Sequence, residues 1–180
     1  MTALVSRTVV LVTGMSGTGK STALSELGRR GHRVVDTDDP GWLVHVETPY
    51  GIEPMWDLDG VGALLDGHRA GWLFVSGCVA NQGALYHRFD AVVLLSAPVE
   101  VIFGRVVDRA NPFGSRPEDR AKIASDLAEF ESLLRAGVDH EIVTTAPVAE
   151  VVAALEQVAA AADGRAHGAR LAEPRPGPPN

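Results

Sequence analysis

Thr8-Val9-Val10-Leu11-Val12-Thr13 runs directly into Gly14-Met15-Ser16-Gly17-Thr18-Gly19-Lys20-Ser21, and this stretch decides the fold. The first six residues are β-branched or leucine, the pattern of a strand buried on both faces of a parallel sheet. The next eight fit G-x-x-x-x-G-K-[ST]. Converging several backbone N–H groups on phosphate oxygens requires the conformational freedom of glycine. A helix starting at Lys20 then turns its positive N-terminal end toward the anion. Lys20 can neutralise charge on β- and γ-phosphates, and the Ser21 hydroxyl can ligate Mg²⁺. Gly14, Ser16, Gly17, Thr18, Gly19, Lys20, Ser21 and Thr22 are the expected nucleotide-binding residues. At average glycine usage the four fixed positions recur by accident in roughly one chain of this length in a hundred or fewer. Lys20 is one of only two lysines, the other being Lys122.

Outward from this loop, short apolar runs alternate with helical periodicity. A helix is expected over Lys20 to Arg30, a strand at Arg33–Asp36, a helix around Leu58, Val61, Leu64 and Leu65, and strands at Trp72–Val75 and Ala91–Leu95. A helix over Val99 to Arg109 is broken by Asn111-Pro112-Phe113-Gly114. Ser115-Arg116-Pro117-Glu118 opens the next helix, to about Arg135. A strand at Glu141–Thr144 and a helix from Pro147 to about Ala162 close the pattern. Residues 37–56, with Pro40, Gly41, Pro49, Gly51 and Pro54, read as loop. Such alternation implies an α/β fold of three layers: a five-stranded parallel sheet with helices on both faces. Ligands of such sheets gather at the carboxyl ends of the strands. Residues 1–162 are expected to form one domain. Residues 163–180, with Pro174, Pro176, Pro178 and Pro179, are expected to be a disordered tail.

Composition narrows the class. The chain has 180 residues, 46% hydrophobic, with a formal net charge of −7. That balance does not suit a nucleic-acid binder, which needs a basic face. No apolar run is long enough for a membrane span, and no secretory signal pattern opens the sequence, so a cytoplasmic protein is expected. A single cysteine, Cys78, excludes an internal disulfide. The six histidines show no metal-ligand spacing, so no zinc site is expected. The N-K-x-D signature of GTPases is missing, and the strand ending at Ser76-Gly77 carries no aspartate for metal.

With these motifs in view, Thr8 to Ala162 resembles the small P-loop kinases, the adenylate kinase, shikimate kinase and gluconate kinase group. The likeness rests on the phosphate loop, on Asp36-Thr37-Asp38, on Ala97-Pro98-Val99-Glu100, on Arg105-Val106-Val107-Asp108-Arg109 and on Arg116. It implies a mobile lid, at about residues 110–118, and transfer of the ATP γ-phosphoryl group with Mg²⁺. By that similarity Arg105 stacks on adenine, Arg109 meets phosphate, Arg116 swings in on lid closure, and Pro147 lies near the adenine pocket. A planar guanidinium suits such tasks.

Asp36 and Asp38 supply the two carboxylates the chemistry needs, one to orient or deprotonate an attacking hydroxyl and one to hold Mg²⁺ through water. Asp38 is assigned to the acceptor and Asp36, with Ser21, to the metal; the roles are open to reversal. From Val34 to Asp66 there are eight acids and no lysine or arginine. Related kinases grip anionic acceptors with arginine in this region, where only Arg69 and Arg88 are nearby. A neutral or cationic small-molecule acceptor is therefore expected, such as an aminosugar, a nucleoside or an antibiotic-like metabolite. Trp42 and Trp56 could wall it, Gly77 could let it approach the backbone, and Asn81 could hydrogen-bond it. Two alternatives stand beside this: a nucleoside monophosphate kinase, and a non-catalytic ATP-binding sensor or resistance protein.

Overall fold

The computed structural model describes residues 6–107 and 117–172. Strands β1 (Arg7–Thr13), β2 (Arg33–Asp36), β5 (Gly71–Ser76), β6 (Ala91–Ser96) and β7 (His140–Val143) form one sheet in the order β2-β5-β1-β6-β7. Every pairing within it is parallel. Helices α1 (Lys20–Arg29) and α5 (Val148–Ala172) cover one face, and α2 (Leu58–Gly67) with a 3-10 helix (Gln82–Arg88) covers the other. Alternation along β1 explains the layering. Val10 and Val12 pack with Leu24, Leu27 and Leu155, whereas Val9 and Leu11 pack with Val61, Leu65 and Phe89. Helices α3 (Val99–Val107) and α4 (Pro117–Gly137) complete the order of elements. Among the described residues no helix is long and apolar enough to cross a membrane.

Two expectations need correction. Residues 37–56 are not simply loop: Leu43–Thr48 (β3) and Gly51–Trp56 (β4) pair as an antiparallel hairpin. Its prolines and glycines read as loop, yet Pro49-Tyr50 forms the two-residue connection, and Gly51 takes a φ of +121°. Pro54 is tolerated because a two-stranded ribbon has two outer edges, where a missing N–H breaks no ladder. Of the expected tail, residues 163–172 continue α5 as helix, and residues 173–180 lie outside the described residues. Alanine-rich sequence favours helix, and Asp163 accepts hydrogen bonds from Ser6 Oγ (2.8 Å) and Thr8 Oγ1 (3.2 Å), holding α5 to the start of β1.

Candidate active site

The phosphate loop follows the central strand. Gly14 has a φ of +148°, and a Cβ there would lie 2.3 Å from the Leu95 carbonyl oxygen, so only glycine fits. Gly17 and Gly19 also take positive φ. Lys20 is buried, and its Nζ donates to the carbonyl oxygens of Gly14 (2.5 Å) and Met15 (3.2 Å). The ammonium is thus drawn back into the loop by backbone oxygens.

Parallel pairing of β2 with β5 sets Asp36 beside Ser76 at the carboxyl end of the sheet. Ser21 Oγ donates to Asp36 Oδ2 at 3.2 Å, and the Asp38 N–H donates to Asp36 Oδ1 at 3.1 Å. The hydroxyl of the phosphate loop and the first carboxylate therefore meet. Ser76 is fully buried, and its Oγ has no hydrogen-bond partner among the described residues. Alternation along β5 puts its side chain on the sheet face of Phe74, which packs with α1. A hydroxyl, a carboxylate and an unsatisfied hydroxyl grouped beside the loop suit the water shell of a hard divalent cation.

Thr37, between the two aspartates, points the other way. Its Oγ1 donates to Ser76 O (2.7 Å) and accepts from Trp56 Nε1 (2.8 Å). Trp56 is 1% exposed and belongs to the core. Its backbone N–H donates to Asn81 Oδ1 (2.9 Å), and Asn81 Nδ2 donates to Trp56 O (3.0 Å). A Cβ on Gly77 would lie 2.3 Å from Thr37 Oγ1. Trp56, Asn81 and Gly77 therefore fasten the hairpin to the sheet, and none of the three lines the cleft described next. Trp42 also packs toward the core and stays out of that cleft. Trp42, Trp56, Gly77 and Asn81, the residues expected at the acceptor, thus lie outside the lining of that cleft.

That cleft, of about 660 Å³, is lined by Met15, Ser16, Gly17, Gly19, Lys20 and Ser21 of the loop, by Asp38, by Cys78–Ala80, Gln82, Gly83 and Tyr86, and by Phe130, Leu133 and Leu134 of α4. Lys20 is the only cation among these residues. Arg88 is turned away, donating to Gly62 O (3.4 Å) and to the Asp66 carboxylate, and Arg69 does not line the cleft. Burial raises the Tyr86 phenol above its ordinary pKa. The aromatic and leucine side chains of α4 were not singled out in the sequence, because the weak amphipathicity of that helix gives little sign of which face meets a ligand.

A second cleft, of about 300 Å³, lies beyond α1 and is lined by Gly19, Thr22, Ala23, Arg105, Thr144, Ala146, Val148 and Val151. Arg105 donates from Nη1 to Thr144 Oγ1 (2.9 Å) and Gly17 O (3.3 Å), and from Nη2 to Thr144 O. Thr144 Oγ1 in turn donates to Thr18 O at 2.8 Å. The end of β7 is thereby tied to the phosphate loop. Thr22 and Arg105, both expected at the nucleotide, line this cleft; Pro147 is exposed outside it and accepts the Glu150 and Val151 N–H groups at the start of α5. Arg109, Arg116 and residues 110–116 of the expected lid lie outside the described residues.

A family model described as an AAA domain matches residues 10–126, well over half of the chain. The chain belongs to this family. Among curated protein sequences this AAA-domain chain has no match. Among solved structures it is similar to a shikimate kinase from Acinetobacter baumannii in complex with shikimate, with a TM-score of 0.61 and 19% identity over 88% of this chain and 96% of that one. A shikimate kinase from Bacteroides thetaiotaomicron gives a TM-score of 0.58 at 13% identity, covering 84% and 97%. TT1252 from Thermus thermophilus gives 0.55 at 18%, covering 87% and 98%. The AAA-domain chain thus has the fold of the small P-loop kinases, in agreement with the resemblance drawn from its motifs.

Proposed function

We propose that the chain is an ATP-dependent small-molecule kinase that transfers the γ-phosphoryl group to a hydroxyl of a neutral or cationic acceptor. The observation that carries this reading is the contact of Ser21 Oγ with Asp36 Oδ2 at 3.2 Å, with Asp38 lining the same cleft as Lys20. The likeness to shikimate kinases supports phosphoryl transfer to a small molecule, while the cleft lining supports an acceptor without negative charge.

In this mechanism the loop amides and Lys20 hold the β- and γ-phosphates. Ser21 and Asp36 would hold Mg²⁺, with the buried Ser76 on the strand next to Asp36. When bound, the metal neutralises charge developing on the phosphate oxygens. Asp38 accepts the proton of the acceptor hydroxyl as that oxygen bonds to the γ-phosphorus. The bond from phosphorus to the bridging oxygen breaks, and ADP departs with the electron pair. Arg105, with Thr22, borders the nucleoside, and Arg109 and Arg116 are assigned to phosphate charge from the lid. Asp38 lines the cleft, and the eight acids between Val34 and Asp66, with no lysine or arginine among them, give that segment a field that repels anions.

The test is phosphoryl transfer from MgATP to a library of nucleosides, aminosugars, sugar acids and nucleoside monophosphates, followed by mass. Asp38→Asn should bind ATP normally and lose ADP production at least ~100-fold, the scale of general base catalysis. Undiminished turnover by Asp38→Asn, or preference for a monophosphate or a sugar acid, would overturn the reading.

A further inference from the structure

One wall of the larger cleft, carried by α4, is apolar and open. Phe130 is 49% exposed and Leu133 is 67% exposed, yet both line the cleft together with Leu134. Helix α4 brings Phe130, Leu133 and Leu134 to one side through i, i+3 and i+4 spacing. Large apolar side chains left open on a concave surface that also holds converging polar groups mark a ligand wall rather than chance exposure. The same cleft is lined by the polar side chains of Ser16, Lys20, Ser21 and Asp38.

One further polar group belongs to the cleft wall. Gln82 is buried, and its Oε1 accepts the Val79 N–H at 3.4 Å, which turns Nε2 toward Tyr86. Nε2 donates to the Tyr86 hydroxyl at 2.9 Å. With a lone pair of the phenol oxygen engaged in this way, its own hydrogen is available to an oxygen in the cleft.

From this arrangement we infer that the acceptor is an uncharged or cationic alcohol with an apolar ring or branched alkyl body, rather than a polyhydroxylated sugar. Its body lies on Phe130, Leu133 and Leu134, its reacting hydroxyl meets Asp38, and a second oxygen receives the Tyr86 O–H. This deepens the kinase reading and rests on it for the end of the cleft at which the phosphate lies. A polyol would gain nothing from three apolar side chains and would lose its hydration against them. A carboxylate or phosphate on the body would find no arginine in the described lining.

Cys78, the single thiol of the chain, lines the same cleft and reports occupancy without any turnover. The full chain is treated with iodoacetamide, and Cys78 alkylation is timed by mass spectrometry. Three probes are compared: 1-(2-naphthyl)ethane-1,2-diol, its anionic analogue 2-naphthylglycolate, and erythritol. The naphthyl diol should slow alkylation at least threefold at a concentration where the other two change nothing. Phe130→Ser combined with Leu133→Ser, both at exposed positions that leave the core intact, should abolish that protection. Equal protection by erythritol or 2-naphthylglycolate, protection by none of the three, or full protection in the doubly substituted chain would overturn the inference. ADP formation with MgATP is read separately. Protection by the naphthyl diol with no ADP from any alcohol removes the kinase reading and leaves the wall assignment. ADP formation with polyols alone, without protection by the diol, does the reverse.

Discussion

Replacing Gly77 by alanine should destabilise the protein through a single identifiable clash. The backbone at Gly77 does not take a positive φ, so alanine is conformationally allowed and the cost is steric. Its Cβ would lie 2.3 Å from Thr37 Oγ1 and 2.9 Å from Trp56 Cζ2. Neither neighbour has room to withdraw, since Thr37 is 0% and Trp56 1% exposed. Moving Thr37 Oγ1 by the ångström required disrupts its bonds to Ser76 O and Trp56 Nε1. Two buried hydrogen bonds at a net ~1 kcal/mol each, with ~1–3 kcal/mol for overpacking, bring the cost to about 3–5 kcal/mol. For a domain of this size that lowers the melting temperature by roughly 6–20 °C. Urea unfolding of the single and double variants in a cycle with Thr37→Ala checks the cause. Removing Oγ1 opens space for the new methyl group, so the two substitutions should couple by at least ~1.5 kcal/mol. A cost below ~0.5 kcal/mol for Gly77→Ala, or a strictly additive cycle, would refute the packing argument. Gly77 would then be free to serve the acceptor, as its sequence context first indicated.

Three further outcomes are expected. Ser76→Ala should leave the unfolding midpoint unchanged or raise it, because a buried hydroxyl without a partner costs about 1–3 kcal/mol; the same variant should need severalfold more Mg²⁺ for nucleotide binding, measured by calorimetric titration. Arg105→Ala should weaken ADP binding about tenfold or more by losing the side chain that borders the second cleft and ties Gly17 to Thr144, and an unchanged Kd by titration calorimetry would exclude that role. Glu141 is held at a pKa of about 2, well below the usual 4.5, first by the Arg135 guanidinium and then by the Ser96 hydroxyl. A depressed folded-state pKa gives stability that is full above about pH 5 and lost as pH falls through about 2. Discounted for its partial exposure, that stability is about 1 kcal/mol. Urea midpoints of Glu141→Gln and the parent should differ at pH 7 and draw together as pH falls from about 5 through 2, and a gap undiminished at pH 2 would contradict the assignment.

The legible part of this protein was local in sequence. The phosphate loop needs glycines at fixed spacing because backbone N–H groups only converge through conformations that a Cβ hinders, so Gly14 to Ser21 announced both a strand before and a helix after. Parallel strands buried on both faces read as continuous apolar runs, and β1, β5 and β6 were found that way. The hairpin over Leu43–Trp56 was obscured because proline and glycine mark both turns and edge strands. Only pairing between its two halves separates these cases.

Chemistry carried by one segment was therefore determined by the sequence itself: the anion cradle, the acidic pair beyond β2 and the shortage of cations around it. Chemistry assembled from distant segments was decided by the tertiary structure. Trp56, Gly77 and Asn81 carry side chains, or the lack of one, that suit a ligand, but the fold directs them at Thr37 and at one another. Phe130 and Leu133, unremarkable in a long helix, became an open wall once the fold set α4 at the cleft that the phosphate loop also lines. A side chain's type limits what it can touch, and only packing selects which of those partners lies within reach.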